Sequence, residues 1–225
     1  MWAGPSRADD ASMTQIRALV RQATRYDIPA IAQVTRAAYQ EYVPVLGPLY
    51  PGYLADLLAV DQRFAEGTVL VAEVDGCIAG TATLYTDARH AGPGWPRSWA
   101  AGRALAVDPA VRGQGVARAL VRDITARAMR AGADELCLHT GEFMTATVAL
   151  YEAHGFQRDP AYDRDAPGHL DVPGAGPVTM IAYRLRLTGG RPATVHRLHR
   201  VNAQAPWPAR RHGTEILTPV WLAGR

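Results

Sequence analysis

Lysine is absent from this chain of 225 residues, and all 24 basic residues are arginine. That excludes a P-loop, whose Gly-Lys-Ser/Thr signature needs the amine. Cysteine is scarce: only Cys77 and Cys137 occur, both in apolar runs that read as buried strands. Two cysteines in so long a chain make no disulfide framework and no metal-binding spacing, so they read as buried thiols in a reducing compartment. No run approaches the roughly 18 apolar residues of a membrane span. Met1 to Ser12 also lacks the apolar core of a signal peptide. These absences point to a cytoplasmic protein without a membrane partner. Acidic residues are nearly missing from the end of the chain. Residues 189–225 hold six arginines against the single Glu215, whereas residues 1–188 hold 18 arginines against 20 acidic residues. The net charge of +3 therefore belongs to the tail, and the body carries no nucleic-acid footprint.

What is present is a core-forming body. With 48% apolar residues, the segment 13–188 reads as one domain, after a disordered leader at 1–12 and before a basic, disordered or loosely packed tail at 189–225. His196, His199 and His212 in that tail have neither the spacing nor the companion ligands of a metal site. A basic arm touching nucleic acid weakly is the alternative for this segment. Periodicity predicts a strand at Gln15 to Val20, a helix capped by Asp27 and ending near Tyr39, and a second helix from Leu54 to Phe64. An aromatic, proline-rich connection from Tyr42 to Tyr53 joins the two helices. Thr68 to Val74 and Cys77 to Tyr85 read as strands joined by Asp75-Gly76, a strong hairpin signal. Arg103 to Val107 is a strand stopped by Asp108-Pro109. Val116 to Ala131 is an amphipathic helix, Glu135 to Thr140 a buried strand, and Thr145 to His154 a helix closed by Gly155. A strand from Phe156 and a last strand, Thr179 to Leu187, complete the order. A hairpin combined with strand-helix-strand crossovers implies an α/β (α+β) fold with a mixed sheet and helices on both faces.

The sharpest local signal lies between strand and amphipathic helix, in Val107-Asp-Pro-Ala-Val-Arg-Gly-Gln-Gly-Val-Ala-Arg118. Gly113 and Gly115 allow a tight turn and close backbone approach. The N–H groups from Gly113 through Ala117 then point out of the helix start, where hydrogen bonds and the helix dipole favour a pyrophosphate. The third glycine of a dinucleotide fingerprint is missing. Arg112 and Arg118 flank the loop as phosphate partners or as solvated surface arginines.

These residues resemble the GNAT family of N-acetyltransferases. Its acetyl-CoA motif, Arg/Gln-x-x-Gly-x-Gly/Ala, is matched by Arg112-Gly-Gln-Gly-Val-Ala117, and its later Leu-Tyr-Glu-x-x-Gly-Phe by Leu150-Tyr-Glu-Ala-His-Gly-Phe156. Met144 and Thr147 depart from the asparagine and alanine the family carries there. The resemblance spans roughly 13–188. It implies a mixed, mostly antiparallel twisted sheet whose central parallel strands splay to admit the pantetheine arm of acetyl-CoA. It further implies that backbone N–H groups of Leu105, Ala106 and Val107 polarise the thioester, and that Arg112, Gly113, Gln114, Gly115, Val116, Ala117 and Arg118 hold the pyrophosphate. Tyr151 would protonate the departing thiolate. Glu142, His139 and Glu73 are candidates for the general base, with a water chain as the alternative. The acceptor is a primary amine of a small molecule or peptide. Protein N-terminal acetylation and a non-catalytic acyl-CoA-binding regulatory module are the other readings. Without lysine, the chain cannot acetylate its own side-chain amines. The aromatic residues Tyr39, Tyr42, Tyr50, Tyr53, Trp95 and Trp99 would line the acceptor side, pack a homodimer, or pack locally around the prolines.

Overall fold

The computed structural model describes residues 18–92, 94–165 and 178–187. The leader at 1–12, residues 15–17 of the expected first strand, and the tail at 189–225 lie outside these. Eight strands form one sheet in the order β1 (Leu19–Gln22), β2 (Thr68–Val74), β3 (Cys77–Tyr85), β4 (Ala100–Val107), β5 (Glu135–Gly141), β8 (Thr179–Arg186) and β6 (Gln157–Arg158), with β7 (Arg164–Asp165) also on β8. Every pairing is antiparallel except β4 with β5. That parallel pair meets only at Ala100–Leu136 and Ala101–Cys137. Beyond it the strands diverge, so the expected splay of the central strands is present.

Helices cover both faces, as the alternating sequence pattern requires. On one face α5 (Val116–Arg130) buries Val116, Leu120, Val121, Ile124 and Ala128 against β2, β3 and β4. Gly80 of β3 is essential to that fit, because a Cβ there would sit 2.8 Å from Val116 Cγ1 and 3.1 Å from Leu120 Cδ1. Gly132, at φ +75°, ends the helix as expected. On the other face lie α1 (Ile28–Tyr39), α3 (Tyr50–Leu58) and α4 (Val60–Glu66). Val34, Ala38, Tyr39 and Leu57 from this layer pack on Ala104, Ala106 and Met144.

Several expectations need correction. The single helix from Leu54 to Phe64 is two, broken at Ala59 (φ −71°, ψ +57°). The proline-rich connection is itself helical, with α2 (Val43–Leu46) between short 3-10 turns, because each proline stands in a first turn where its missing N–H costs nothing. Asp27 makes no side-chain cap for α1. Its carboxylate instead turns back to accept from the Thr24 N–H at 2.7 Å and from Arg21. Cys77 is exposed, since it is the first residue of β3, right beside the hairpin turn, whereas Cys137 is buried as expected.

β4 starts at Ala100, three residues before its expected start. Thr83 pairs with Arg103, but Thr81 pairs with Ala106, so β4 carries one extra residue opposite Ala82. Ala104 takes up this bulge at φ +53°, a left-handed backbone that costs an L residue on the order of 1–2 kcal/mol.

Candidate active site

The bulge sits where β4 leaves β5, and two cavities border that gap. The larger, about 950 Å³, runs along the turn between β4 and α5. Asp108 ends β4 by accepting from the Ala110 N–H at 2.9 Å, which winds Pro109–Val111 into a 3-10 turn. The chain then passes through Gly113 (φ +79°) and Gly115 (φ +84°) into the helix. Built Cβ atoms at these two glycines meet nothing within 4 Å. Glycine is therefore required there by backbone conformation, and the space beside it is open to a ligand. The N–H groups from Gly113 through Arg118 have no acceptor among the described residues. Six successive donors at the positive end of a 15-residue helix fit a pyrophosphate.

All ten residues expected to hold the cofactor line this groove: Leu105, Ala106, Val107 and the run from Arg112 to Arg118. Arg112 has a further task. Its guanidinium donates to the Ala38 carbonyl at 3.1 Å and pairs with Glu41 at 2.8 Å, tying the loop to the end of α1. The hydrogen bond from Arg112 holds the Glu41 carboxyl below its ordinary range.

The smaller cavity, about 90 Å³, shares Tyr39, Leu105, Met144 and Thr147 with the groove. Tyr39 donates its phenol to the Leu105 carbonyl at 3.0 Å, fixing α1 against the bulged strand. Met144 is buried here, packed beside Ala104, Ala106 and Tyr39, with the Thr140 hydroxyl 3.5 Å from its sulfur. A thioether fills this apolar junction without leaving an amide to satisfy, which gives the departure from the family's asparagine a packing role.

Tyr151 lines the smaller cavity, 5% exposed. α6 (Thr145–Ala153) presents it, and the rings of Phe156 and Tyr183 lie 5.4 and 6.4 Å away. Burial, with a lesser contribution from Tyr39, pushes its phenol well above the ordinary value, so it carries its proton through neutral and mildly alkaline pH. His139 on β5 also lines this cavity. Its Nε2 lies 2.8 Å from the Tyr162 carbonyl, and Trp95 packs on the ring at 4.8 Å. A carbonyl only accepts, so Nε2 bears a proton.

The other two proposed bases are elsewhere. Glu142 is exposed and lines neither cavity. Glu73 is bound to Arg21 at 2.6 Å on the β1–β2 side of the sheet. Tyr39, Tyr53 and Trp95 line the smaller cavity and Tyr42 lines the groove, whereas Tyr50 and Trp99 line neither.

Sequence reasoning missed Asp56, Arg103 and Arg164, all in the wall of the smaller cavity. Asp56 and Arg103 form an ion pair. Burial works against the Arg103 charge, but Asp56 and Tyr85 raise its pKa overall. Two signals were available: an arginine interrupting the apolar run of β4, and Asp56 three residues after Tyr53, on the same helix face. Behind them, fully buried Arg63 donates to Thr83 Oγ1 and to the Leu57 carbonyl, each at 2.8 Å. Its guanidinium thereby holds the end of α3 to β3, and with it the helix carrying Tyr53 and Asp56.

This geometry places the chain in a known class. Residues 32–156, more than half of the chain, match the model of the Acetyltransferase (GNAT) family, and the chain belongs to that family of acetyl-CoA-dependent enzymes. A mouse (Mus musculus) protein described as "Probable N-acetyltransferase family 8 member 5" is 32% identical over 123 residues, covering 52% of this chain and 53% of that protein. The match thus spans about half the length of the curated relative. The fold is shared with an N-acetyltransferase from Staphylococcus aureus Mu50 (TM-score 0.55, 20% identity, 76% of this chain and 99% of that one). It is also shared with the PaiA N-acetyltransferase of Thermoplasma acidophilum in complex with coenzyme A (TM-score 0.55, 12% identity, 76% and 99%). No single helix among the described residues is long and apolar enough to cross a membrane.

Proposed function

We propose that the protein moves an acetyl group from acetyl-CoA to a primary amine of a small molecule or peptide, by direct transfer within a ternary complex. One observation carries this reading: two cavities meet at the β4–β5 gap and share Tyr39, Leu105, Met144 and Thr147. A site built this way can hold both substrates together, with the reacting atoms brought in from opposite sides.

Bound acetyl-CoA supplies the activated acyl group as a thioester. The N–H groups of Gly113 through Arg118 would cradle its pyrophosphate, with Arg118 at the rim and Arg112 keeping the loop in register with α1. Backbone N–H groups at the bulge, in the stretch Leu105 to Val107, would stabilise negative charge developing on the carbonyl oxygen. Tyr151, held protonated by its burial, would deliver a proton to the sulfur side. His139, its ring held at Nε2 by the Tyr162 carbonyl, would be the candidate to receive the proton the amine gives up. The catalytic domain in this reading runs from 13 to 188, and the arginine-rich segment 189–225 lies outside it.

The test is thiol release from acetyl-CoA across a panel of amines, with both substrates varied. Initial-rate lines that intersect support the ternary complex; parallel lines would replace it with an acetyl-enzyme route. Failure of every amine to accelerate thiol release would overturn the activity itself.

A further inference from the structure

Acetyl transfer gives roles to Tyr151 and His139, but it names nothing that grips the amine before it reacts. Two residues of α3 stand in the wall of the smaller cavity without a role. Tyr53 and Asp56 are three positions apart, hence on one helix face, and both line that cavity. Asp56 gives one oxygen, Oδ2, to the Arg103 guanidinium. Its Oδ1 has no hydrogen-bond partner among the described residues, and its side chain keeps 21% of its surface accessible. The Tyr53 phenol likewise has no hydrogen-bond partner among them. Neither oxygen is sealed in the protein, in contrast to the Thr35 hydroxyl, which is unpartnered but fully buried.

The supports of these two oxygens are firm. Arg63 ties the end of α3 to β3. Arg103, which also bonds to Tyr85, holds the Asp56 carboxylate beside β4, one residue before the bulge at Ala104. Two acceptor atoms fixed next to the β4–β5 gap suit a ligand that brings N–H donors, and a carboxylate suits one that brings positive charge. Arg103 and Arg164 are in the same wall, each with contacts of its own. A guanidinium only donates, so neither can take an N–H from the ligand. Both oppose a cation through their fields, and the direct contact at Asp56 has to exceed that opposition.

Building on the acetyl-transfer reading, we infer that Asp56 binds the acceptor's amino group. It takes a primary amine as the ammonium, Oδ1 accepting one N–H and the Tyr53 phenol oxygen a second. The pair with Arg103 stays intact, because the two partners use different oxygens of the carboxylate. The third proton is the one lost to expose the nitrogen lone pair. Counted from the ammonium, two protons leave the nitrogen during the transfer: one ends on the thiol of coenzyme A and one passes to water. Strongly basic primary amines are therefore preferred over amines that are neutral at pH 7.

The test is calorimetric titration of the full-length protein saturated with coenzyme A, which fills the groove and has no acetyl group to transfer. Two isosteric pairs serve as probes: ethylamine against O-methylhydroxylamine, and 2-phenylethylamine against O-benzylhydroxylamine. In each pair the first is an ammonium at pH 7 and the second is neutral. The ammonium is expected to bind about 10-fold or more tightly than its neutral partner, the size of one hydrogen bond to a charged group. In Asp56→Asn that ratio falls to near one, while the neutral partner's affinity changes by less than about 3-fold. In Tyr53→Phe both members of a pair weaken, by about 3-fold; unchanged affinities there would strike Tyr53 from the inference. A ratio near one in the parent overturns the role of Asp56 without any variant, even if Asp56→Asn fails to fold. So does a ratio that survives in Asp56→Asn, or an equal loss of both partners there, the mark of a merely structural carboxylate. Thiol release from acetyl-CoA is read separately. If no amine accelerates it, the acetyl-transfer reading has failed, and the titration still judges Asp56 on its own.

Discussion

Along Gly113 to Arg118 the ligand-facing groups are main-chain N–H donors contributed by one short stretch of chain. Across the β4–β5 gap, the wall is largely side chains, drawn from segments scattered between Tyr39 and Met180. Only four residues belong to both. A backbone site depends on conformation, so it tolerates most side-chain changes and fails when φ is wrong. A side-chain site is assembled one residue at a time and can be rewritten the same way. In the proposed reading, the cofactor half therefore rests on backbone conformation and the acceptor half on side-chain identity.

That separation can be attacked by mutation. The largest effect is expected from Tyr151→Phe: kcat falls by about 100-fold or more, as for loss of a general acid, while acetyl-CoA affinity moves by no more than about 3-fold. Loss of both together would mean that the two halves are not separable. Next comes Gly115→Ala. Its left-handed backbone costs a side chain about 1 kcal/mol, and the added Cβ enters open groove, so acetyl-CoA affinity should drop about 10- to 100-fold by titration calorimetry. Gly80→Ala is the contrast: its Cβ strikes Val116, lowering stability by about 1–3 kcal/mol with a smaller effect on cofactor affinity per unit of stability lost. Arg63→Met should cost about 1–3 kcal/mol by leaving the Leu57 carbonyl and Thr83 hydroxyl without their donor. Its kinetic signature is a raised KM for the amine with acetyl-CoA binding retained.

The smallest effect near neutrality is on pH dependence. Burial raises the phenols of Tyr39, Tyr53 and Tyr151, and Tyr42 reaches about 12. In the unfolded chain these groups ionise near pH 10. Between pH 7 and 9 both states hold their protons and stability is flat. Above about pH 10 the unfolded state binds fewer protons than the folded one, so stability declines as pH rises until the buried phenols ionise too. Thermal melts from pH 8 to 11 check the direction; a midpoint that holds or rises above pH 10 would contradict the burial of these rings.

The groove along Gly113 and Gly115 was legible because its information is local. Gly113 and Gly115 record the backbone angles directly, and α5 repeats its apolar face over four turns. Even Asp108-Pro109 marks where β4 ends. The acceptor half was legible only in type: the aromatic residues of 39–53 were evident, but not that their prolines start helices rather than break them. Charge partners were hidden. Nothing adjacent to Asp56 names Arg103, 47 positions away, and nothing near Glu142 says that its side chain points to solvent. Glu73 looked available in sequence because Arg21, its partner, lies on another strand.

The extra residue at Ala104 has a consequence for how the enzyme can change. Along an undisturbed strand, residues an even number of places apart share a face. Thr81 and Thr83 do so on β3, but their partners on β4, Ala106 and Arg103, are three places apart. The bulge therefore acts as a phase shifter. It sets Arg103 and Ala106 on the side of α1 and α3 while Leu105 and Val107 pack with α5. Substitutions along β4 alter one wall at a time, but deleting a single residue at the bulge would swap the inventories of the two sides beyond it. The length of this strand is thus under tighter constraint than its composition.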